Sequence, residues 1–263
     1  AIGATPQFLF DRYVVDNHWA LKTKREFVSR VFHQPQRHAE NPVLAGDNPG
    51  FPSVIYDAKA GLFRMYYQGN HRTAGQANED GPAYQGFAGY AESKDGVHWT
   101  RPHLNLFKQF KFEPNNVVLA RPDIPAWGAS SPCVVEVPEK DRRGYRYLLM
   151  YRGKGRGGAE FNGLRLVGSQ DGIHWDMANE QALGHLHSDT ANTICYDDRQ
   201  DQYVMFCRGK QIYRRTSSPN LENDPSRSVA RLTMRELRND WLQGNSPQNV
   251  LVPDEQDAAQ HFN

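Results

Sequence analysis

Long apolar runs are missing from this chain of 263 residues, and no stretch approaches the roughly 20 apolar residues that cross a bilayer. Cysteine is scarce, at three residues, which excludes a dense disulfide framework. Neither sign of charge is in excess. Thirty-one Lys and Arg stand against 30 Asp and Glu, for a formal net charge of +1. A nucleic-acid or anionic-membrane partner would call for a basic stripe, so neither is expected. Long helical periodicity is lacking too, which argues against a mixed α/β domain. What is abundant is aromatic and turn-forming: 13 Phe, 12 Tyr, 5 Trp and 22 Gly in a chain of mean hydropathy −0.75. That composition suits many short strands.

Repeats organise those strands. Ser93-Lys-Asp-Gly-Val-His-Trp99 matches Ser169-Gln-Asp-Gly-Ile-His-Trp175. Asp-Gly between extended runs signals a hairpin, because Gly supplies the positive φ of a tight turn. The Trp after each turn is placed to cover a sheet edge. Upstream, Phe63-Arg-Met-Tyr-Tyr-Gln-Gly69 matches Tyr147-Leu-Leu-Met-Tyr-Arg-Gly153 and Tyr203-Val-Met-Phe-Cys-Arg-Gly209. Each is preceded by a further short strand: Ser53–Asp57, Cys133–Glu136 and Thr193–Asp197. A third element recurs as Asn41-Pro-Val-Leu44, Asn116-Val-Val-Leu119 and Asn249-Val-Leu-Val252, and reads as a linker between units. Cys195 and Cys207 flank the turn at 199–201 nearly symmetrically. They could face each other across a hairpin, or serve as small buried apolar residues.

Each unit therefore reads as four strands, the content of one blade of a β-propeller. Blade one is expected over 47–107, blade two over 123–183 and blade three over 187–245. In blade three Ser217–Leu221 replaces the Asp-Gly turn, and Asn249–Asp254 opens a fourth unit. Residues 1–46 form an N-terminal arm and linker packing on the propeller of 47–263. Propellers close with four to eight blades, so three and the start of a fourth imply a longer polypeptide or a second chain that completes the ring.

Phe32-His-Gln-Pro35, His38-Ala-Glu-Asn-Pro-Val-Leu44, the two Ser-x-Asp-Gly-x-His-Trp turns and Ser188-Asp-Thr-Ala-Asn192 resemble bacterial proteins related to glycoside hydrolase families 32, 43 and 117. The resemblance implies an all-β, five-bladed propeller with a carbohydrate at its central funnel mouth, in a secreted or periplasmic protein. It also implies catalytic carboxylates near the starts of innermost strands in different blades. Glycosidic cleavage needs one carboxyl to protonate the leaving oxygen and one ionised to activate water or attack the anomeric carbon. Some members of the superfamily have lost an acid and cleave nothing.

Asp189 is the first candidate, just ahead of the innermost strand of blade three, although Asp also commonly caps turns there. Asp47, in Asp-Asn-Pro-Gly, occupies the matching approach to blade one, and Glu40 lies slightly upstream. Blade two departs from the pattern: Ala126-Trp-Gly-Ala-Ser-Ser-Pro132 holds no carboxylate. Asp254, Glu255 and Asp257 are candidates for a replacement. His185, His187 and Asp189 alternate and would share one face of a strand, suited to sugar hydroxyls, with His187 a candidate proton donor. The same set is compatible with a funnel-bound calcium ion, whereas the cleavage chemistry requires no cofactor. Gln68, Arg152 and Arg208 hold one repeat position, and Trp127 offers a stacking surface; all four are candidate sugar contacts. A non-catalytic carbohydrate-binding propeller is the main alternative, ahead of a protein-interaction propeller.

Overall fold

The computed structural model describes residues 35–46, 49–78, 81–121, 129–153, 163–183, 191–208, 229–237 and 247–251, with backbone alone at 71–78, 81–85, 208 and 251. The chain divides into two units, 1–41 and 42–263. Of the first, residues 35–41 are described, and they are exposed.

Among its described residues the second unit is all-β and holds three four-stranded antiparallel sheets. The first joins β1 (Gly50–Asp57), β2 (Leu62–Asn78), β3 (Gly81–Ser93) and β4 (Val117–Ala120) in chain order. The second joins β5 (Ser130–Glu136), β6 (Tyr147–Gly153), β7 (Gly163–Ser169) and β8 (Gln181–Ala182). The third joins β9 (Thr193–Asp197), β10 (Gln202–Arg208), β11 (Val229–Met234) and β12 (Gln248–Leu251). The first strands of the three sheets lie side by side. The backbone N–H of Val134 donates to Ser53 Oγ (3.0 Å), and that of Ile194 donates to Cys133 Sγ (3.3 Å). Three blades arranged about a shared inner edge make the chain part of a β-propeller.

The shared heptapeptides are turns that close on themselves. Ser93 Oγ accepts from the N–H of Gly96 (2.9 Å), Asp95 Oδ1 accepts from Val97 and His98 (2.9 and 2.8 Å), and Asp95 Oδ2 meets His98 Nδ1 at 2.7 Å. Ser169, Asp171, Gly172 and His174 repeat the arrangement with matching distances. Gly96 and Gly172 sit at φ +77° and +78°, where a side chain would be strained. The Ser, Asp, Gly and His of the motif are therefore spent on backbone geometry.

The blade boundaries lie further along the chain than the sequence suggests. The Asn-Val-Leu element read as a linker is the outermost strand: β4 pairs with β3, and β12 pairs with β11. Asn249–Leu251 thus belongs to the third sheet and does not open a fourth unit. After the first turn, Thr100 makes two backbone bonds with Glu92 (2.9 and 2.8 Å) and Pro102 then offers no N–H to continue the ladder. The chain leaves the sheet, packs Phe110 and Phe112 against Phe87, and returns at β4. Asn116 fixes the return by donating Nδ2 to Tyr67 Oη (2.7 Å) and to the Tyr90 carbonyl (2.6 Å).

The cysteines are unpaired. Cys195 stands opposite Val204 and points outward, whereas Cys207 is buried toward blade two. The two do not face each other, because strand alternation sends them to opposite sides.

Candidate functional site

The innermost strands of the first two blades begin alike. In β1 the register slips between Gly50 and Ser53, and in β5 between Ser130 and Cys133. The residue inside each bulge has a positive φ, 48° at Phe51 and 51° at Ser131. Non-Gly residues in that region are held by their surroundings and gather at functional positions. Gly50-Phe-Pro52 and Ser130-Ser-Pro132 are the matching sequences, and that parallel was legible without the structure.

Side chains from the second strands support these starts. Gln68 lies across from Gly50, and its Oε1 accepts the N–H of Ser131 in the next blade at 2.9 Å. One blade's Gln thereby fixes the bulge of its neighbour. Arg152 lies across from Ser130 and is half-buried. The Ser131 amide is therefore held by blade one, while Ser130 pairs in register with Arg152 of its own blade. Ser130 and Ser131 are buried, while Phe51, at the repeat position of Ser131, is 49% exposed. Arg208 ends β10 opposite Val229, at the repeat position of Gln68 and Arg152.

A second polar group lies near this end of blade two. Glu180 is held by Arg121 Nη1 (2.7 and 2.9 Å), by Arg165 (3.8 Å) and by the hydroxyl of Tyr151. Burial first, then the Glu180 charge beside it, push the Tyr151 phenol above its ordinary range, so the phenol stays protonated and donates. Sequence reasoning missed Glu180, because its partners come from β6, β7 and the end of β4.

Glu40 is exposed in the first unit, and its backbone N–H donates to His38 Nδ1 at 3.2 Å. Asp189, Asp47, His185, His187, Trp127 and the acids Asp254, Glu255 and Asp257 lie outside the described residues. Among the described residues no cluster of three or more His, Cys, Asp or Glu side chains could hold a metal ion.

What fold and site define together is a class: a propeller with polar groups at the starts of its inner strands. No protein-family model matches the sequence, and no curated protein matches it. Among solved structures the chain is similar to an N-acetylgalactosamine deacetylase from F. plautii, solved with blood group B trisaccharide. The TM-score is 0.52 at 16% identity, covering 81% of this chain and 57% of the other. It is similar also to a thermostable family-43 glycoside hydrolase (TM-score 0.46, 13% identity, 82% of this chain and 57% of that one). An alpha-L-arabinanase of Cellvibrio cellulosa matches with TM-score 0.44 at 13% identity over 78% of this chain and 60% of its own. The likeness to the F. plautii structure is one of fold. The chain spans 57% of the length of each of the first two of these structures.

Proposed function

We propose that the chain is part of a carbohydrate-cleaving propeller, a glycoside hydrolase acting where the inner strands begin. The observation that carries the reading is the repeated bulge at those starts, with Gln68, Ser131 and Arg152 set around it. The F. plautii deacetylase, whose structure shares the fold, was solved with a bound trisaccharide. In this reading Asp189 supplies the ionised carboxylate. Asp47 is the base or nucleophile of blade one, with Glu40 as a further candidate. His187 is placed by its spacing to donate a proton. Arg152, Arg208, Gln68, His185 and Trp127 hold the sugar.

Blade two favours a second reading. Ser130 and Ser131 stand at its inner start, after Ala129, where a third acid would be expected. A propeller short of one acid binds saccharide without cleaving it. Asp189→Asn tests the first reading. Reducing-sugar release from a panel of oligosaccharides should fall by about a thousandfold or more, with the melting temperature nearly unchanged. Unaltered turnover would remove Asp189 from the mechanism. Saccharide binding by the wild type with no cleavage of any panel member would establish the second reading instead.

A further inference from the structure

The contact between blades one and two and the contact between blades two and three follow one register at their inner strands. Val134 donates its backbone N–H to Ser53 Oγ at 3.0 Å, and Ile194, at the same repeat position, donates to Cys133 Sγ at 3.3 Å. Ser131 lies three residues before Val134, and Ala191 lies three residues before Ile194. Gln68 pairs with Gly50 at the inner start of blade one, and Arg152 pairs with Ser130 at the inner start of blade two. Arg152 therefore stands to Ala191 as Gln68 stands to Ser131.

The chemistry of the two pairs is opposite. An amide side chain carries a carbonyl oxygen, and Gln68 Oε1 accepts the Ser131 N–H at 2.9 Å. A guanidinium has five N–H donors and no acceptor, so Arg152 cannot receive the N–H of Ala191. Two donors at one position call for an acceptor between them, and a negatively charged oxygen serves both best. The surroundings differ in the same sense. Ser131 is buried, whereas Ala191 is exposed, so the second position is open to a solute and the first is closed. Arg152 is half-buried, where salt screens its charge less than at the surface.

We infer that Arg152 and the N–H of Ala191 form a subsite for an anionic group on the saccharide, a carboxylate or a sulfate ester. The inference rests on the carbohydrate reading above and narrows it to sugars that carry negative charge. The planar guanidinium donates two parallel hydrogen bonds to two oxygens of that group, and the Ala191 N–H donates a third. A neutral hydroxyl would answer only part of this donor set and would bring no charge. Blade one offers no such place, because Gln68 is already committed to Ser131. Charge is therefore read at the junction of blades two and three.

Calorimetric titration with matched neutral and anionic saccharides tests the assignment: galactotetraose against tetragalacturonate and a sulfated carrageenan tetrasaccharide, and mannotetraose against tetramannuronate. An anionic probe should bind about tenfold or more tightly than its neutral match, since hydrogen bonds to charged groups are the stronger ones. Whether the uronates or the sulfated probe bind tells carboxylate from sulfate. Arg152→Gln rebuilds the acceptor of blade one, so it should melt no lower than wild type, and the ratio of anionic to neutral affinity should fall to near one. Equal affinity of wild type for anionic and neutral probes would overturn the inference and leave the carbohydrate reading in place. If Arg152→Gln also melts lower, the guanidinium serves a carboxylate of the chain itself. A charge preference that survives Arg152→Gln would overturn the inference as well. Should that variant not fold, inorganic sulfate decides on wild type: it should compete with the favoured anionic probe more than with its neutral match, and equal competition overturns the assignment. Binding of no saccharide at all would remove the carbohydrate reading, and this inference with it.

Discussion

The two blade–blade interfaces are built from one repeat and hold together by different chemistry. Between blades one and two a carboxylate is buried. Asp57, fully covered, accepts from Arg146 Nη2 (2.7 Å), Tyr147 Oη (3.0 Å) and Arg64 Nε (3.0 Å), the last in its own blade. Arg146 also reaches Glu136 (2.9 Å) and lies over the Tyr147 ring at 4.8 Å. Arg64 continues to the Asp171 carbonyl (2.8 Å), so the turn of blade two docks on blade one. Between blades two and three the contact is aliphatic and sulfur-rich, with Cys133, Met150 and Leu166 against Ile194, Met205 and Cys207. Its ion pairs, Lys140 with Asp201 and Arg143 with Glu236, join exposed side chains. The first interface adds mutual satisfaction of buried charge to an apolar cluster that joins Tyr66 and Leu119 to Leu149 and Tyr151, whereas the second relies on volume.

Asp57→Ala should therefore give the largest loss, about 3–5 kcal/mol in denaturant unfolding, because two guanidinium groups would lose their shared acceptor. A loss below about 1 kcal/mol would mean that water replaces the carboxylate and that the interfaces do not differ as argued. Acid sharpens the same contrast. Burial alone would raise the Asp57 carboxyl, but hydrogen bonds from Arg146, Ala60 and Tyr147 and the charge of Arg64 outweigh it and hold it well below the usual carboxylate range. A depressed folded value stabilises above the unfolded value of about 3.9, and the contribution disappears as pH falls through the folded one. Wild type should lose stability below about pH 4 more steeply than Asp57→Asn. Parallel curves would remove Asp57 from the acid response.

Leu166→Ala probes the other interface. It should cost about 2–5 kcal/mol by emptying volume between blades two and three. The loss should be the same at pH 4 and pH 7, since no buried acid is involved. A cost that changes with pH would show that the two interfaces are coupled.

Much of this architecture was legible because it is local. The Ser-x-Asp-Gly-x-His-Trp turns, the Phe63–Gly69 class of strands and the count of three blades follow from short matching segments. β4 was placed wrongly because sixteen residues separate it from Thr100, and nothing local says that the chain returns to β3. The charge network was hidden for a related reason: Asp57 and Arg146 are 89 positions apart, and each alone reads as a turn or surface residue. At the candidate site, Gln68 and Arg152 were recognisable as one repeat position. That Gln68 serves the neighbouring blade's Ser131 amide was not, since the bond crosses between sheets.

The smallest expected effect separates the two turns. Gly96→Ala and Gly172→Ala carry the same backbone strain, about 1–2 kcal/mol for a side chain at such a φ. They differ in what a new methyl would meet. At Gly96 the nearest atoms belong to Phe63 at 3.8 Å, an ordinary contact. At Gly172 the Tyr66 hydroxyl stands 2.5 Å away and Arg64 Nη1 3.3 Å away, both from blade one. Gly172→Ala should therefore destabilise more than Gly96→Ala, measured by thermal unfolding. Removing the hydroxyl isolates the cause: in a Tyr66→Phe background the gap between the two substitutions should narrow. If the gap persists there, the hydroxyl is not what sets the two turns apart. If there is no gap in wild type, the turn of blade two is not docked on its neighbour, and the polar interface ends at Asp57.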